Sequence, residues 1–126
     1  MTEEMMLGKK IWAVVGANTD REKYGNKIFR RLLEKGYAVY PVNPNHDSVE
    51  GHICYKDLAS LPELPEVIDM VVSPKRGRAV IEEAAGLGIK NIWLQPGTHN
   101  DELMQLISDR GLTAVQACVL VALTYM

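Results

Sequence analysis

The fold is decided by the stretch Ile11-Trp12-Ala13-Val14-Val15, which leads directly into Gly16-Ala17-Asn18. The first five residues are apolar, rich in β-branched side chains and not interrupted by polar ones. This pattern is typical of a parallel strand that is covered on both faces. A glycine directly after such a strand allows a tight turn into a helix. The stretch therefore predicts the first strand–loop–helix unit of an α/β fold.

Four more strands are predicted further along the chain. Apolar runs of the same kind lie at residues 37–42, 67–72 and 91–94, and a short one lies at residues 113–116. Between them, apolar residues recur with the period of a helix: Ile28, Phe29, Leu32 and Leu33, then Val80, Ile81, Ala84 and Leu87, then Leu103, Leu106 and Ile107. Residues 45–66 show at most one short strand and one helical turn, and are predicted to be a crossover connection.

The helix ends agree with this alternation of strands and helices. Gly36, Gly88 and Gly111 follow the three apolar stripes, where a C-cap glycine is expected. Thr98 and Asp101 have the spacing of a capping box and predict the start of the third helix. The pattern predicts a three-layer, Rossmann-like α/β fold, with a doubly wound, mainly parallel sheet of about five strands and helices on both faces. Its ligand crevice should lie at the carboxyl ends of the strands.

Length and composition indicate a single domain over residues 1–126, of which residues 1–8 are expected to be flexible. Hydrophobic residues make up 47% and charged residues 24%, which is typical of a globular protein. There are 14 basic and 16 acidic residues, so the net charge is -2. This balance argues against a nucleic-acid partner.

The sequence shows no pattern for a membrane span or a metal site. The longest apolar run, residues 117–123, is too short to cross about 30 Å of hydrocarbon, and the N-terminus does not resemble a signal peptide. Cys54 and Cys118 lie in neither a disulfide framework nor a zinc motif. We therefore expect a cytoplasmic protein without a membrane or metal partner.

The loop after the first predicted strand favours the binding of a phosphate. Gly16 permits close approach of the backbone, and the following helix offers free N–H groups and a partial positive charge at its N-terminus. The fingerprint of dinucleotide enzymes, G-x-G-x-x-G, is absent from this loop. A tight turn without a ligand is the alternative interpretation.

The loop after the second strand, Pro41-Val42-Asn43-Pro44, indicates which kind of nucleotide could bind. Enzymes that use NAD place an Asp or Glu here to hold the ribose hydroxyls, and this chain has none. A ligand with a phosphate on its ribose suits the loop better. Alternatively, the two prolines only make a rigid turn.

The loop after the third strand, Ser73-Pro74-Lys75-Arg76-Gly77-Arg78, places three cations in the first turn of a helix. The helix dipole disfavours cations at this end, and a bound phosphate would relieve the mismatch. A solvated, charged helix start is the alternative. The histidines, His46, His52 and His99, do not share a face, and no catalytic constellation is legible.

Two apolar features have alternative interpretations of their own. Trp12 and Trp93 lie inside predicted strands and are expected in the core rather than as stacking platforms. Residues 117–126 are nearly all apolar, so they either pack onto the edge of the sheet or form a homodimer contact.

Taken in order, these motifs resemble those of the stand-alone CoA-binding domain family, which is similar to the nucleotide-binding domain of the succinyl-CoA synthetase α subunit. The resemblance covers about residues 9 to 120. It is carried by Val15-Gly16-Ala17, Lys23-Tyr24-Gly25-Asn26-Lys27, Gly36-Tyr37, Pro41-Val42-Asn43-Pro44, Leu61-Pro62, Val67-Ile68-Asp69 and Trp93-Leu94-Gln95-Pro96-Gly97.

The resemblance implies a Rossmann-like domain that holds coenzyme A, and it implies roles for individual residues. Gly16, Ala17, Asn18 and Lys23 would meet the pyrophosphate. Pro41, Val42 and Asn43 would border the adenosine, with Val72, Ser73 and Pro74 on the other side of the adenine. Gln95 and Gly97 would lie toward the pantetheine arm. Lys75, Arg76 and Arg78 are the candidate partners of the 3′-phosphate.

We therefore expect non-catalytic binding of CoA or an acyl-CoA, because the family's ligase chemistry belongs to other domains. The alternative is an NAD(P)-dependent oxidoreductase or a nicotinamide redox sensor on the same fold. A third hypothesis is that Cys118 forms a mixed disulfide with the CoA thiol, against an inert, buried cysteine. A homodimer or an unknown protein partner is a further expectation.

Overall fold

A parallel sheet of five strands lies at the centre of the computed structural model, which describes residues 2–125. In chain order the elements are α1 (Thr2–Leu7), β1 (Ile11–Val15), α2 (Tyr24–Glu34), β2 (Ala38–Val42), β3 (Ser48–Val49), β4 (His52–Ile53), β5 (Val67–Met70), α3 (Pro74–Leu87), β6 (Asn91–Leu94), α4 (Asp101–Asp109), β7 (Thr113–Gln116) and α5 (Val119–Thr124). The main sheet has the strand order β2-β1-β5-β6-β7, and every neighbouring pair in it is parallel. The predicted Rossmann-like fold is confirmed.

The strand order reverses direction between β1 and β5. The chain moves outward from β1 to β2, crosses back over the sheet to β5, and then proceeds through β6 to β7. Such a reversal opens a crevice between the loops that leave the two central strands, because those loops lead to helices on opposite faces. The fold therefore places its ligand crevice above β1 and β5.

Each central strand is buried on both faces, because alternate side chains point into two separate cores. Trp12 and Val14 join the core under α2 and α5, whereas Ala13 and Val15 join the core under α3 and α4. Trp12 and Trp93 are fully buried with their ring centroids 5.8 Å apart. The prediction that both tryptophans belong to the core is confirmed.

Two chain ends pack against the first of these cores. Residues 1–8 are predicted from the sequence to be flexible, but Thr2–Leu7 forms a helix, and its Met6 side chain is fully buried. At the other end, α5 buries Val119 and Leu123 in the same core. Of the two interpretations of the apolar C-terminal segment, the structure therefore supports packing against the protein's own sheet. A homodimer contact through this segment stays a prediction.

The start of α4 differs from the predicted capping box. The N-cap is Asn100, whose side-chain oxygen accepts a hydrogen bond of 2.8 Å from the N–H of Leu103. The Thr98 hydroxyl donates instead to the carbonyl of Gln95 at 2.7 Å, within the turn that follows β6. The prediction of Thr98 as the cap is wrong because that hydroxyl stabilises the turn before the helix.

Asp69 is an exception among the buried strand residues. It lies in β5 between Val14 of β1 and Trp93 of β6 in the strand register, and it is fully buried. Neither of its carboxylate oxygens has a hydrogen-bond partner in residues 2–125. Burial raises the pKa of Asp69 well above its usual value, because an unpartnered carboxylate is strongly disfavoured in an apolar interior.

The substitution Asp69→Asn should make the free energy of unfolding less dependent on pH. The raised pKa means that folded protein binds more protons than unfolded protein, so the wild type loses stability as the pH rises above about 4, the unfolded value, toward the folded pKa. Asparagine does not titrate. In that window the variant should gain on the wild type by up to about 1.4 kcal/mol per pH unit.

Urea denaturation of both proteins between about pH 4 and pH 7 measures this gain. Asp47→Asn, at an exposed loop position, serves as the control and should follow the wild type. A difference between Asp69→Asn and wild type that is the same at every pH would contradict the prediction.

Candidate functional site

A crevice with two lobes runs over the carboxyl ends of β1 and β5. The first lobe, about 630 Å³, opens on the face of the sheet covered by α2 and α5. The second lobe, about 390 Å³, opens on the face covered by α3 and α4. Gly16 and Val72 line both lobes, so the two lie side by side at the point where the strand order reverses.

Most of the residues predicted from the sequence line this crevice. The first lobe contains Gly16, Asn18, Lys23, Val72, Ser73, Gln95 and Gly97, and the second contains Gly16, Val42, Asn43, Val72 and Arg76. Three predicted residues line neither lobe. Ala17 is buried in the core, Pro41 is buried in β2, and Pro74 lines a separate cleft beside α4.

Two glycines allow the first loop to lie directly against the start of α2. Gly16 has a φ of 102°, and a Cβ atom on it would lie 2.9 Å from the carbonyl oxygen of Val71. A Cβ atom on Gly25 would lie only 2.0 Å from the carbonyl oxygen of Gly16. Neither position can carry a side chain without displacing backbone. The close contact brings the N-terminus of α2 to the edge of the first lobe.

The N-terminus of α2 has the properties of an anion site. Its N-cap residue, Lys23, makes no side-chain cap hydrogen bond, and its first turn contains no acidic residue. Lys23, Tyr24 and Gly25 all line the first lobe. Unpaired N–H groups, the helix dipole and an ammonium group therefore act on the same space, and all three favour a negatively charged ligand.

Asn26 fixes the first loop, a role that sequence reasoning missed. This fully buried amide donates to the carbonyl of Asn18 at 2.9 Å and to the carboxylate of Glu50 at 3.1 Å, and it accepts from Arg30 at 2.7 Å. Asn26 adjoins the apolar stripe of α2. A polar residue beside a buried face is the signal in the sequence that indicates such a structural hydrogen-bond network.

Asn43 ties the first loop to the second. Its side-chain nitrogen donates to the carbonyl of Ala17 at 2.8 Å, and its side-chain oxygen accepts from the N–H of Asn45 at 2.9 Å. The resemblance to the family implies that this amide borders a ligand. It does line the second lobe, but the hydrogen bonds named here commit it to holding two loops together.

Gln95 plays the corresponding part on the other side of the crevice. It is 5% exposed, and its side-chain oxygen accepts a hydrogen bond of 3.0 Å from the N–H of Val119, the first residue of α5. This bond holds the start of α5 against the first lobe. As a result Cys118, a free thiol, forms part of the wall of that lobe.

The segment between β4 and β5 contributes more to the site than the sequence suggested. The sequence predicts this segment to be a crossover connection, and in the structure it also supplies Lys56, Asp57 and Leu58 to the second lobe. The N–H groups of Leu58 and Ala59 donate to the carboxylate of Glu83 in α3 at 3.0 and 3.2 Å. Because the partner is about 25 residues away along the chain, local patterns carried no signal for this contact. The other lining residues that the predicted site did not include are Val15, Tyr24, Gly25, Pro44, Val71, Ala79, Val80, Glu83, Pro96 and Thr98.

Comparison with known proteins agrees with the geometry of the crevice. Residues 10–124 match the family model described as a CoA binding domain. The chain belongs to the CoA-binding domain family. The resemblance found in the sequence is thereby confirmed over almost the whole chain.

Relatives within the CoA-binding domain family include both small proteins and parts of larger enzymes. YneT of Bacillus subtilis, an uncharacterized protein, is 29% identical over 124 residues, which cover 95% of this chain and 90% of YneT. The solved structure of a conserved hypothetical protein from Pyrococcus furiosus has a TM-score of 0.84 and 40% identity, and the match covers 90% of this chain and 98% of that one.

The same family connects the chain to an acetate–CoA ligase. The α subunit of the ADP-forming acetate–CoA ligase II of Pyrococcus furiosus is 33% identical over 81 residues, which cover 64% of this chain. The matched region is only 18% of the ligase subunit. The chain therefore corresponds to a small part of that protein.

Neither a metal cluster nor a membrane-spanning helix accompanies the crevice. In residues 2–125, no group of three or more His, Cys, Asp or Glu side chains is arranged to hold a metal ion. None of the helices in that range has both the length and the apolar character needed to cross a bilayer.

Gly25→Ala should destabilise the protein, and Gly86→Ala should not. Alanine at position 25 collides with the Gly16 carbonyl, so we expect a loss of about 1–3 kcal/mol in the free energy of unfolding. Gly86 lies inside α3, and apart from its chain neighbours and the helix's own backbone no atom of residues 2–125 lies within 4 Å of the place that an added methyl group would take, so alanine there should stabilise by about 0.5–1 kcal/mol. Urea denaturation measures both changes, and equal effects would refute the steric argument.

Proposed function

We propose that the protein binds CoA or an acyl-CoA in the two-lobed crevice and catalyses no reaction of its own. The observation that carries the proposal is the position of the two lobes side by side at Gly16 and Val72, next to the uncapped N-terminus of α2. CoA has a nucleotide end, a central pyrophosphate and a long pantetheine arm. A binding site for CoA therefore needs an anion site between two cavities, one suited to the nucleotide and one suited to the pantetheine arm.

The first lobe fits the pyrophosphate and the pantetheine arm. The pyrophosphate would lie against Gly16, Lys23 and the N–H groups of the first turn of α2, where helix dipole and ammonium charge act together. From there the arm would extend past Gln95 and Gly97 toward Cys118. This wall is partly polar, which suits the amide groups of pantetheine.

The second lobe fits the adenosine. Val42, Leu58 and Val80 supply apolar side chains suited to a flat base. Its two carboxylates, on Asp57 and Glu83, accept hydrogen bonds from backbone N–H groups of residues 58–60. They are therefore committed to the protein and poorly placed to clamp an unmodified ribose diol, which argues against NAD as the ligand.

The absence of catalysis is part of the proposal and is supported by the chemistry of the crevice wall. Besides the thiol of Cys118, the crevice is lined by apolar groups, amides, hydroxyls and cations, and its two carboxylates, on Asp57 and Glu83, accept backbone N–H groups, so the wall is suited to holding a ligand. We also infer a cytoplasmic location, since Cys54 and Cys118 are both free thiols, as is usual in a reducing compartment.

Isothermal titration should detect one CoA per chain and no binding of NADH at the same concentrations. Lys23→Gln should weaken CoA binding by about tenfold, or 1.4 kcal/mol, because it removes a cation from the pyrophosphate site. Lys35→Gln, at the opposite end of α2, is the matched control and should leave the affinity unchanged.

Two results would overturn the proposal. The absence of any heat with CoA or acetyl-CoA would exclude the ligand. Turnover of acetyl-CoA, or formation of acetyl-CoA from acetate, ATP and CoA at a rate that scales with the purified protein, would exclude a purely binding role.

A further inference from the structure

The three cations of the loop after β5 lie on different surfaces. Arg76 lines the second lobe of the crevice. Lys75 and Arg78 line a separate cleft at the start of α4, together with Asn100 and Glu102. Although the three are close in sequence, Arg76 is the one among them that lines the second lobe.

A second cation reaches that lobe from a distant part of the chain. Lys56 follows Tyr55, whose backbone forms a parallel bridge with Val42 at the end of β2. The N–H of Asn43 donates to the carbonyl of Tyr55 at 2.8 Å, and the N–H of Tyr55 donates to the carbonyl of Pro41 at 2.9 Å. These bonds hold the backbone of Lys56 at the wall of the second lobe.

Among residues 2–125, no carboxylate neutralises either cation. In the described chain, residues 2–125, Lys56 and Arg76 take part in no ion pair. The nearest acids along the wall, Asp57 and Glu83, accept backbone N–H groups instead, Asp57 from Ser60 at 2.9 Å. Two exposed cations therefore face one small cavity with their charges unpaired.

The start of α3 adds to the positive potential at the same place. Its N-cap residue, Ser73, makes no side-chain cap hydrogen bond, and its first turn contains no acidic residue. Arg76 lies in that first turn. A dianion near Arg76 would thus interact with two side-chain cations and the positive end of the helix dipole.

We propose that Lys56 and Arg76 together bind the phosphomonoester on the ribose of the ligand, and that this contact selects CoA over dephospho-CoA. The inference rests on the proposed function, since it places the adenosine in the second lobe. A ribose phosphomonoester occurs as the 3′-phosphate of CoA and as the 2′-phosphate of NADP, so both molecules belong in the test.

The experiment measures dissociation constants for CoA, dephospho-CoA and NADP by isothermal titration. The wild type should bind CoA about tenfold or more tightly than dephospho-CoA and NADP. Lys56→Gln and Arg76→Gln should each reduce that preference several-fold by weakening CoA binding alone, and the double variant should nearly abolish it. Higher ionic strength should reduce the preference of the wild type.

Lys75→Gln and Arg78→Gln are the matched controls, since they remove the same charges from the neighbouring cleft and should keep the wild-type preference. All four side chains are exposed, and thermal melts monitor whether the variants stay folded.

Equal affinity of the wild type for CoA and dephospho-CoA, or equal losses for both ligands in the variants, would overturn the inference and leave the proposed function standing. Tighter binding of NADP than of CoA would overturn the assignment to the 3′-phosphate, and failure to bind either form of CoA would overturn the proposed function itself.

Discussion

The close contact between the loop after β1 and the start of α2 determines the geometry of the whole crevice. The carbonyl oxygen of Gly16 occupies the space that a side chain at Gly25 would need, so the helix begins directly beside the strand end. With α2 in this position, Asn26 reaches the carbonyl of Asn18 and fixes the intervening loop. The same arrangement places Lys23, Tyr24 and Gly25, at the start of the helix, in the wall of the first lobe. A single backbone contact thus creates both the anchor of the loop and the anion site.

The protein tolerates an energetic cost immediately below this site. Asp69 is paired in the sheet with Val14 and Trp93, and the residues that follow those two on the same face, Gly16 and Gln95, belong to the first lobe. An unpartnered carboxyl group in that layer favours the neutral form and weakens the fold as the pH rises. The carboxyl group of Asp69 gains neither the stabilisation of a paired ion nor the stabilisation of a well-packed apolar side chain. The surrounding sheet, buried on both faces, compensates for it.

Sequence reasoning predicted the features that depend on neighbours along the chain. The strands, the main helices and the strand-end loops follow from periodicity and from glycine positions, and most residues of those loops do line the crevice. The features that local patterns do not carry are contacts between distant segments. Met6 is buried because of the sheet it packs against, which the pattern of residues 1–8 alone does not show. Lys56 reaches the second lobe because its segment hydrogen-bonds to Glu83. Lys75 and Arg76 line different cavities because adjacent residues of a helix point in different directions.

The placement of the two lobes on opposite faces of the sheet restricts the shape of any molecule that fills both. The two lobes share Gly16 and Val72 in their linings, at the edge where the central strands end. A ligand must therefore fold over that edge, with a hinge near its middle and two ends of different polarity. Rigid, planar molecules of the same size can occupy one lobe but not both. The crevice consequently selects for internal flexibility in its ligand, in addition to selecting for charge.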